Sequence, residues 1–153
     1  MELIDLNILQ TALPANDGKS YTLSDFIGKK IVLYFYPKDK TSGCTLQAQG
    51  YRDLQDEFKS LNTVILGISR DGVKSHSGFI EKEALNFLLL SDKDKLYHEA
   101  FQVLKPKKMY GKDVIGVIRS TFIFNEQGEL IHSLRAVKAE QDPFEVLEYL
   151  KKL

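Results

Sequence analysis

The chain carries one cysteine, Cys44, at the end of the run Pro37-Lys38-Asp39-Lys40-Thr41-Ser42-Gly43-Cys44. Sulfur attacks as the thiolate. An unperturbed thiol with a pKa of ~8.5 is only slightly ionised at neutral pH, whereas a pKa near ~6 makes it mostly anionic. The run offers what that change needs: unpaired backbone N–H groups and positive charge at a helix start, and a hydroxyl on Thr41. Gly43 lets the backbone come close to a bound molecule, and Pro37 removes a donor and stiffens the chain ahead of the sulfur. A lone cysteine is more often a small apolar filler. A turn of Lys, Asp, Lys, Thr, Ser and Gly is a poor place for core packing, so Cys44 reads as a reactive thiol.

The flanking elements must position it. Ile31 to Tyr36 is apolar throughout, as in a central strand covered on both faces, and Pro37 ends it. From Gly43 to about Leu61 the residues Tyr51, Leu54, Phe58 and Leu61 recur at helical spacing. Cys44 therefore sits at a strand-to-helix junction, where βα units bind ligands. Upstream, Leu3 to Leu9 alternates and Asn16-Asp17-Gly18 turns toward Tyr21, predicting an opening hairpin, with Ser24 as N-cap of a short helical turn that Gly28 stops.

Downstream, Thr63 to Ser69 is a second buried strand, followed by a helix over Val73 to Lys82 and a strand over Phe87 to Leu90. A helix over Lys93 to Phe101 leads into a polar, lysine-rich loop reaching Lys112. Arg119 to Phe124 and Glu129 to His132 flank Asn125-Glu126-Gln127-Gly128 as a second hairpin. Asp142 is read as the N-cap of the last helix, with Pro143 at its first position. The order predicts an α/β domain spanning 1–153, with a mixed sheet flanked by helices, a layout compatible with the thioredoxin fold.

Composition narrows the function. Net charge is zero at a pI near 6.8, which argues against broad attraction to nucleic acid or anionic membrane. Apolar stretches are too short to span a bilayer, and Met1 to Asp5 has no basic leader region. One cysteine points to a reducing compartment, hence the cytoplasm. His76, His98 and His132 are scattered without ligand spacing, so neither a metal nor a cofactor is expected. Lys105-Pro106-Lys107-Lys108 reads as a solvated run.

Tyr34-Phe35-Tyr36-Pro37-Lys38-Asp39-Lys40-Thr41-Ser42-Gly43-Cys44-Thr45 resembles the active-site segment of peroxiredoxins, most closely the bacterioferritin-comigratory or peroxiredoxin Q branch. Pro37, Thr41 and Cys44 match that family's Pro-x-x-x-Thr-x-x-Cys spacing. Gly116 to Phe122 is similar to the segment bearing its catalytic arginine, here Arg119. The resemblance implies a thioredoxin-like fold and a thiol peroxidase that reduces hydrogen peroxide or organic hydroperoxides in antioxidant defence. Cys44 would become a sulfenic acid. Arg119, Thr41 and the backbone at Gly43 would bind the peroxide, with Pro37 as a shield.

The chain departs from the family at two positions. Many relatives place a resolving cysteine five residues after the first, where this chain has Gln49; others carry it in the next helix, where there is none here. Five helical steps turn about 500° and rise about 7.5 Å, so a pair so placed must unwind its helix to join. This chain has no such pair. It implies a one-cysteine cycle resolved by an outside thiol: thioredoxin, a glutaredoxin, glutathione or a second copy. Gln47 stands where relatives usually carry glutamate. The branch suggests a monomer or weak homodimer. Two other readings are weighed: a dithiol oxidoreductase, opposed by the lack of Cys-x-x-Cys, and a non-catalytic redox sensor using Cys44 as a switch.

Overall fold

Alternation on a single strand organises the molecule. The computed structural model describes residues 4–153. Strand β3 (Lys30–Phe35) sends Ile31, Leu33 and Phe35 into one apolar cluster and Val32, Tyr34 and the following Tyr36 into another. Successive strand side chains point to opposite faces, so an unbroken apolar run belongs in a strand covered on both sides.

Strand β4 (Thr63–Ser69) pairs parallel with β3, and β5 (Leu88–Ser91) pairs parallel with β4. On the other side β8 (Ser120–Phe124) runs antiparallel to β3, and β9 (Leu130–Leu134) antiparallel to β8. The resulting mixed sheet has the order β5-β4-β3-β8-β9. One face packs on helix α1 (Ser42–Asp53), α2 (Gln55–Ser60), α3 (Val73–Glu83) and α5 (Asp142–Lys151), through Ala48, Tyr51, Phe58, Phe79, Val146 and Leu150. The other meets α4 (Leu96–Ala100) and the N-terminal segment through Tyr97, Phe101, Leu9 and Leu13. Each large side chain buried this way contributes roughly 1.5–3 kcal/mol. This is the thioredoxin-like α/β arrangement.

Several local expectations are corrected. Of the alternating Leu3 to Leu9 segment, Leu3 lies outside the described residues, and Leu6–Gln10 is a 3₁₀ helix capped by Asp5 rather than a strand. The opening hairpin is shorter and later: β1 (Leu13–Pro14) against β2 (Ser20–Tyr21). Thr22, not Ser24, caps the 3₁₀ turn Leu23–Phe26, in a reciprocal box with Asp25, while the Ser24 hydroxyl donates to Leu9 O. The helix predicted from Gly43 to Leu61 breaks at Leu54 into α1 and α2.

The lysine-rich segment is not a loop. Leu104–Met109 (β6) pairs antiparallel with Lys112–Val117 (β7) across Tyr110-Gly111, whose φ values are +54° and +78°. Two positive-φ central residues are what a tight hairpin turn needs. Most of its side chains are exposed, so no apolar alternation marked it in the sequence.

The Pro37–Cys44 turn is anchored from beneath. Asp39 accepts from Tyr36 OH at 2.5 Å and from Ser75 OH at 2.8 Å, and its Oδ2 lies 2.7 Å from His76 Nδ1. His76 Nε2 in turn bonds Leu90 O, and the Asp39 backbone N–H donates to Asp71 Oδ2. This anchor holds the next residue, Lys40, at φ +67°, a conformation non-glycine residues rarely adopt. Burial pushes the Asp39 carboxyl up, but the bonds from His76, Tyr36 and Ser75 outweigh it and hold the group below its usual range.

A depressed folded-state pKa gives stability that is present above the unfolded value near ~3.9 and lost as pH falls through the folded one. Asp39→Asn is accordingly expected to lower the thermal midpoint at neutral pH by about 5 °C or more. The gap between variant and parent should close as the solution is acidified, and melting followed by circular dichroism across pH checks it.

Candidate active site

The strand exit and the first turn of α1 bring Cys44 to the C-terminal end of the central strand β3. Thr41 is the N-cap, and the first helical bond runs from Thr45 N–H to Thr41 O. The N–H groups of Ser42, Gly43 and Cys44 thus have no acceptor within the helix, and the helix adds positive charge there. The Cys44 side chain itself is 1 % exposed and joins the apolar cluster with Tyr34, Tyr36 and Ala48. Its polar run in sequence belongs to the turn, not to the sulfur.

Arg119, between β7 and β8, reaches the same point. Its Nη2 lies 3.5 Å from Cys44 Sγ and its Nη1 donates to Gln47 Oε1 at 2.6 Å. Residues 75 positions apart are thereby brought together across the sheet. Gly43 borders the guanidinium: a Cβ there would stand 3.4 Å from Nη2 and 3.9 Å from Ala139 Cβ. Alanine would fit at that distance, whereas a longer side chain would take the space of the guanidinium. Thr41 is exposed, and its hydroxyl donates to Lys38 O at 2.9 Å. With its proton so committed, the oxygen is left as an acceptor. Pro37 is half-buried just past β3.

Behind the arginine lies a buried polar layer. Gln47 Nε2 donates to Asp142 Oδ2 at 2.9 Å, and the same oxygen accepts from Tyr51 OH at 2.6 Å and Thr121 OH at 2.8 Å. Asp142 Oδ1 is buried with no partner among the described residues. Burial pushes the Asp142 carboxyl up, and the three donors only partly restrain it. Asp142 is thus not the N-cap that the sequence suggested. Gln141 holds that place, and the Asp142 side chain turns inward as the first residue of α5.

A fully buried carboxylate gathering donors from α1 and β8 was not legible from local spacing. Gln49, five residues after Cys44, donates to Glu83 Oε1 at the end of α3, beside an Arg52 bond to Glu83 O.

One metal-like grouping occurs among the described residues: Asp39, Asp71 and His76, with ligand atoms within 4.8 Å of one another. Those atoms are already engaged by Tyr36, Ser75, Ser69 and the Asp39 backbone, and their work is to hold the turn. The spacing of the histidines in sequence gave no sign of this pairing, because its acids come from the β3–α1 turn and the end of β4.

The structure thus sets the Cys44 sulfur at a helix start with the Arg119 guanidinium against it. Residues 6–133 match the AhpC/TSA family. The chain belongs to that family. It is 46% identical over 139 residues to peroxiredoxin Bcp of Bacillus subtilis, covering 91% of this chain and 88% of that one. With peroxiredoxin Bcp of Escherichia coli K12 it shares 42% over 140 residues, covering 92% and 90%.

Among solved structures, the bacterioferritin comigratory protein of Xanthomonas campestris, described for its alkyl peroxide reduction activity, superposes with a TM-score of 0.93. Its identity is 39% over 98% of this chain and 96% of that one. As a peroxiredoxin of the Bcp type, the chain is a thiol peroxidase with a single cysteine.

Proposed function

We propose that Cys44 is the peroxidatic residue of a single domain spanning 1–153, and that Arg119, Thr41 and the Gly43–Cys44 backbone hold the peroxide. The observation that carries this is the 3.5 Å approach of Arg119 Nη2 to Cys44 Sγ at the start of α1. The thiolate attacks one oxygen of ROOH; the S–O bond forms as the O–O bond breaks, and two electrons pass from sulfur to the peroxide. The leaving RO⁻ takes a proton and departs as alcohol or water, and sulfur is left as sulfenic acid. Arg119 donates to the oxygen on which charge develops, where a preset donor counts most. Thr41, its own proton on Lys38 O, accepts from the peroxide O–H, and Pro37 excludes water. Organic hydroperoxides are substrates beside hydrogen peroxide, in line with the alkyl peroxide reduction of the Xanthomonas relative.

An outside thiol completes the cycle. It attacks the sulfenic sulfur, releasing water and leaving a mixed disulfide, which a second thiol reduces while returning Cys44. Thioredoxin, a glutaredoxin or glutathione supplies these thiols. A lone free cysteine fits a reducing cytoplasm, and the protein works as a monomer or weak homodimer. No helix among the described residues is long and apolar enough to cross a membrane.

One equivalent of peroxide followed by a small thiol is expected to give a one-to-one adduct on Cys44 in the intact mass. Multiple turnover should then resume with one of the three reductant systems. Peroxide consumption no faster than that of free cysteine thiolate would overturn the reading.

A further inference from the structure

Gln47 faces two unlike partners, and their chemistry leaves its amide one orientation. A guanidinium can only donate, so the amide oxygen must face Arg119 Nη1, 2.6 Å away. The amide nitrogen is then left pointing at Asp142 Oδ2, 2.9 Å away. Asp142 is itself held from α1 by Tyr51 and from β8 by Thr121. Gln47 and Asp142 are both fully buried, so neither can exchange these partners for bulk water.

We propose that Asp142 is a positioning residue for the peroxidase reaction: through the Gln47 amide it sets the Arg119 guanidinium against Cys44, and positions 47 and 142 together accommodate one carboxylate. Were the amide to turn over, its NH₂ would meet the guanidinium and its oxygen would meet the carboxylate. Both contacts would be mismatched in a buried site, where unpaired polar groups are most costly. The Asp142 acceptor therefore locks the amide, and the amide holds Nη1 while Nη2 is left for the sulfur.

The same geometry accounts for the departure at position 47. A glutamate there would put an oxygen where Nε2 now lies, facing Asp142 Oδ2. Two carboxylates so close cannot both ionise, and the pair keeps its fit only while one of them holds a proton, a state that neutral and higher pH work against.

This rests on Arg119 serving the Cys44 reaction, which Arg119 variants test separately. The inference is tested with Gln47→Glu, Asp142→Asn and the double variant, by stopped-flow reaction with hydrogen peroxide at neutral pH. Alkylation by iodoacetamide runs in parallel, since it reports thiolate access without needing a donor for a departing oxygen. Gln47→Glu is expected to slow the peroxide reaction about tenfold or more, and Asp142→Asn several-fold, with smaller effects on alkylation.

The double variant is expected to be faster than either single one. In it the carboxylate introduced at position 47 faces Arg119 and accepts one N–H of the amide introduced at position 142, whose second N–H goes to one of the Tyr51 and Thr121 hydroxyls. A double variant no faster than Gln47→Glu would overturn the proposal, as would Gln47→Glu at the parent rate, or loss of alkylation in step with peroxide reduction. Should Gln47→Glu fail to fold, the double variant decides: folded and fast supports the proposal, unfolded or slow overturns it.

Discussion

Cys44→Ser is expected to lose peroxide reduction altogether, a fall of at least about four powers of ten in the second-order rate. A serine hydroxyl is not ionised at neutral pH by a helix start and one guanidinium, and its oxygen is a poor nucleophile toward another oxygen. The substitution is nearly isosteric in a site 1 % exposed, with Arg119 near enough to bond the new hydroxyl. The fold should therefore survive, and circular dichroism beside the kinetics separates lost chemistry from lost structure. Residual turnover above that of buffer would mean that some group other than Cys44 meets the peroxide.

Arg119→Ala is expected to slow the same step by about two to three powers of ten, the usual scale for removing one preset donor to a developing anion. The loss has two parts. The leaving oxygen forfeits its donor, and Gln47 Oε1 is stripped of its partner in a buried layer. Arg119→Lys separates them. An ammonium keeps the charge but cannot span Gln47 and the sulfur with a rigid fork. It should recover only part of the rate, read by stopped flow under pseudo-first-order peroxide. A lysine variant as fast as the parent would show that charge alone suffices, without the two-point geometry.

What the sequence made legible follows from where the information lies. The apolar runs at β3, β4 and β8 are local patterns, and each fell close to the observed strand. The Pro37–Cys44 turn stood out as a motif and Arg119 through a resemblance, and the structure brings Arg119 Nη2 within 3.5 Å of Cys44 Sγ. The Gln47–Asp142 pair was hidden because its members are 95 positions apart and meet only when α5 docks on α1. Asp142 beside Pro143 carries a local signal for a helix cap, and tertiary burial overrode it. The β6–β7 hairpin was hidden for the opposite reason: its side chains face mostly solvent, and exposed strands leave little trace of period two.

The bonds that Gln49 and Arg52 make to Glu83 tie the middle of α1 to the end of α3. On the proposed cycle, a helix fastened there need not melt for the oxidised sulfur to be repaired, and a sulfenic acid at Cys44 would stay beside Arg119. A second peroxide then competes with the incoming reductant for the same sulfur, and success carries it to the sulfinic acid, beyond the reach of ordinary thiols. On that reading, activity is expected to fall when peroxide outpaces the reductant, with sulfinic acid on Cys44 visible in the intact mass.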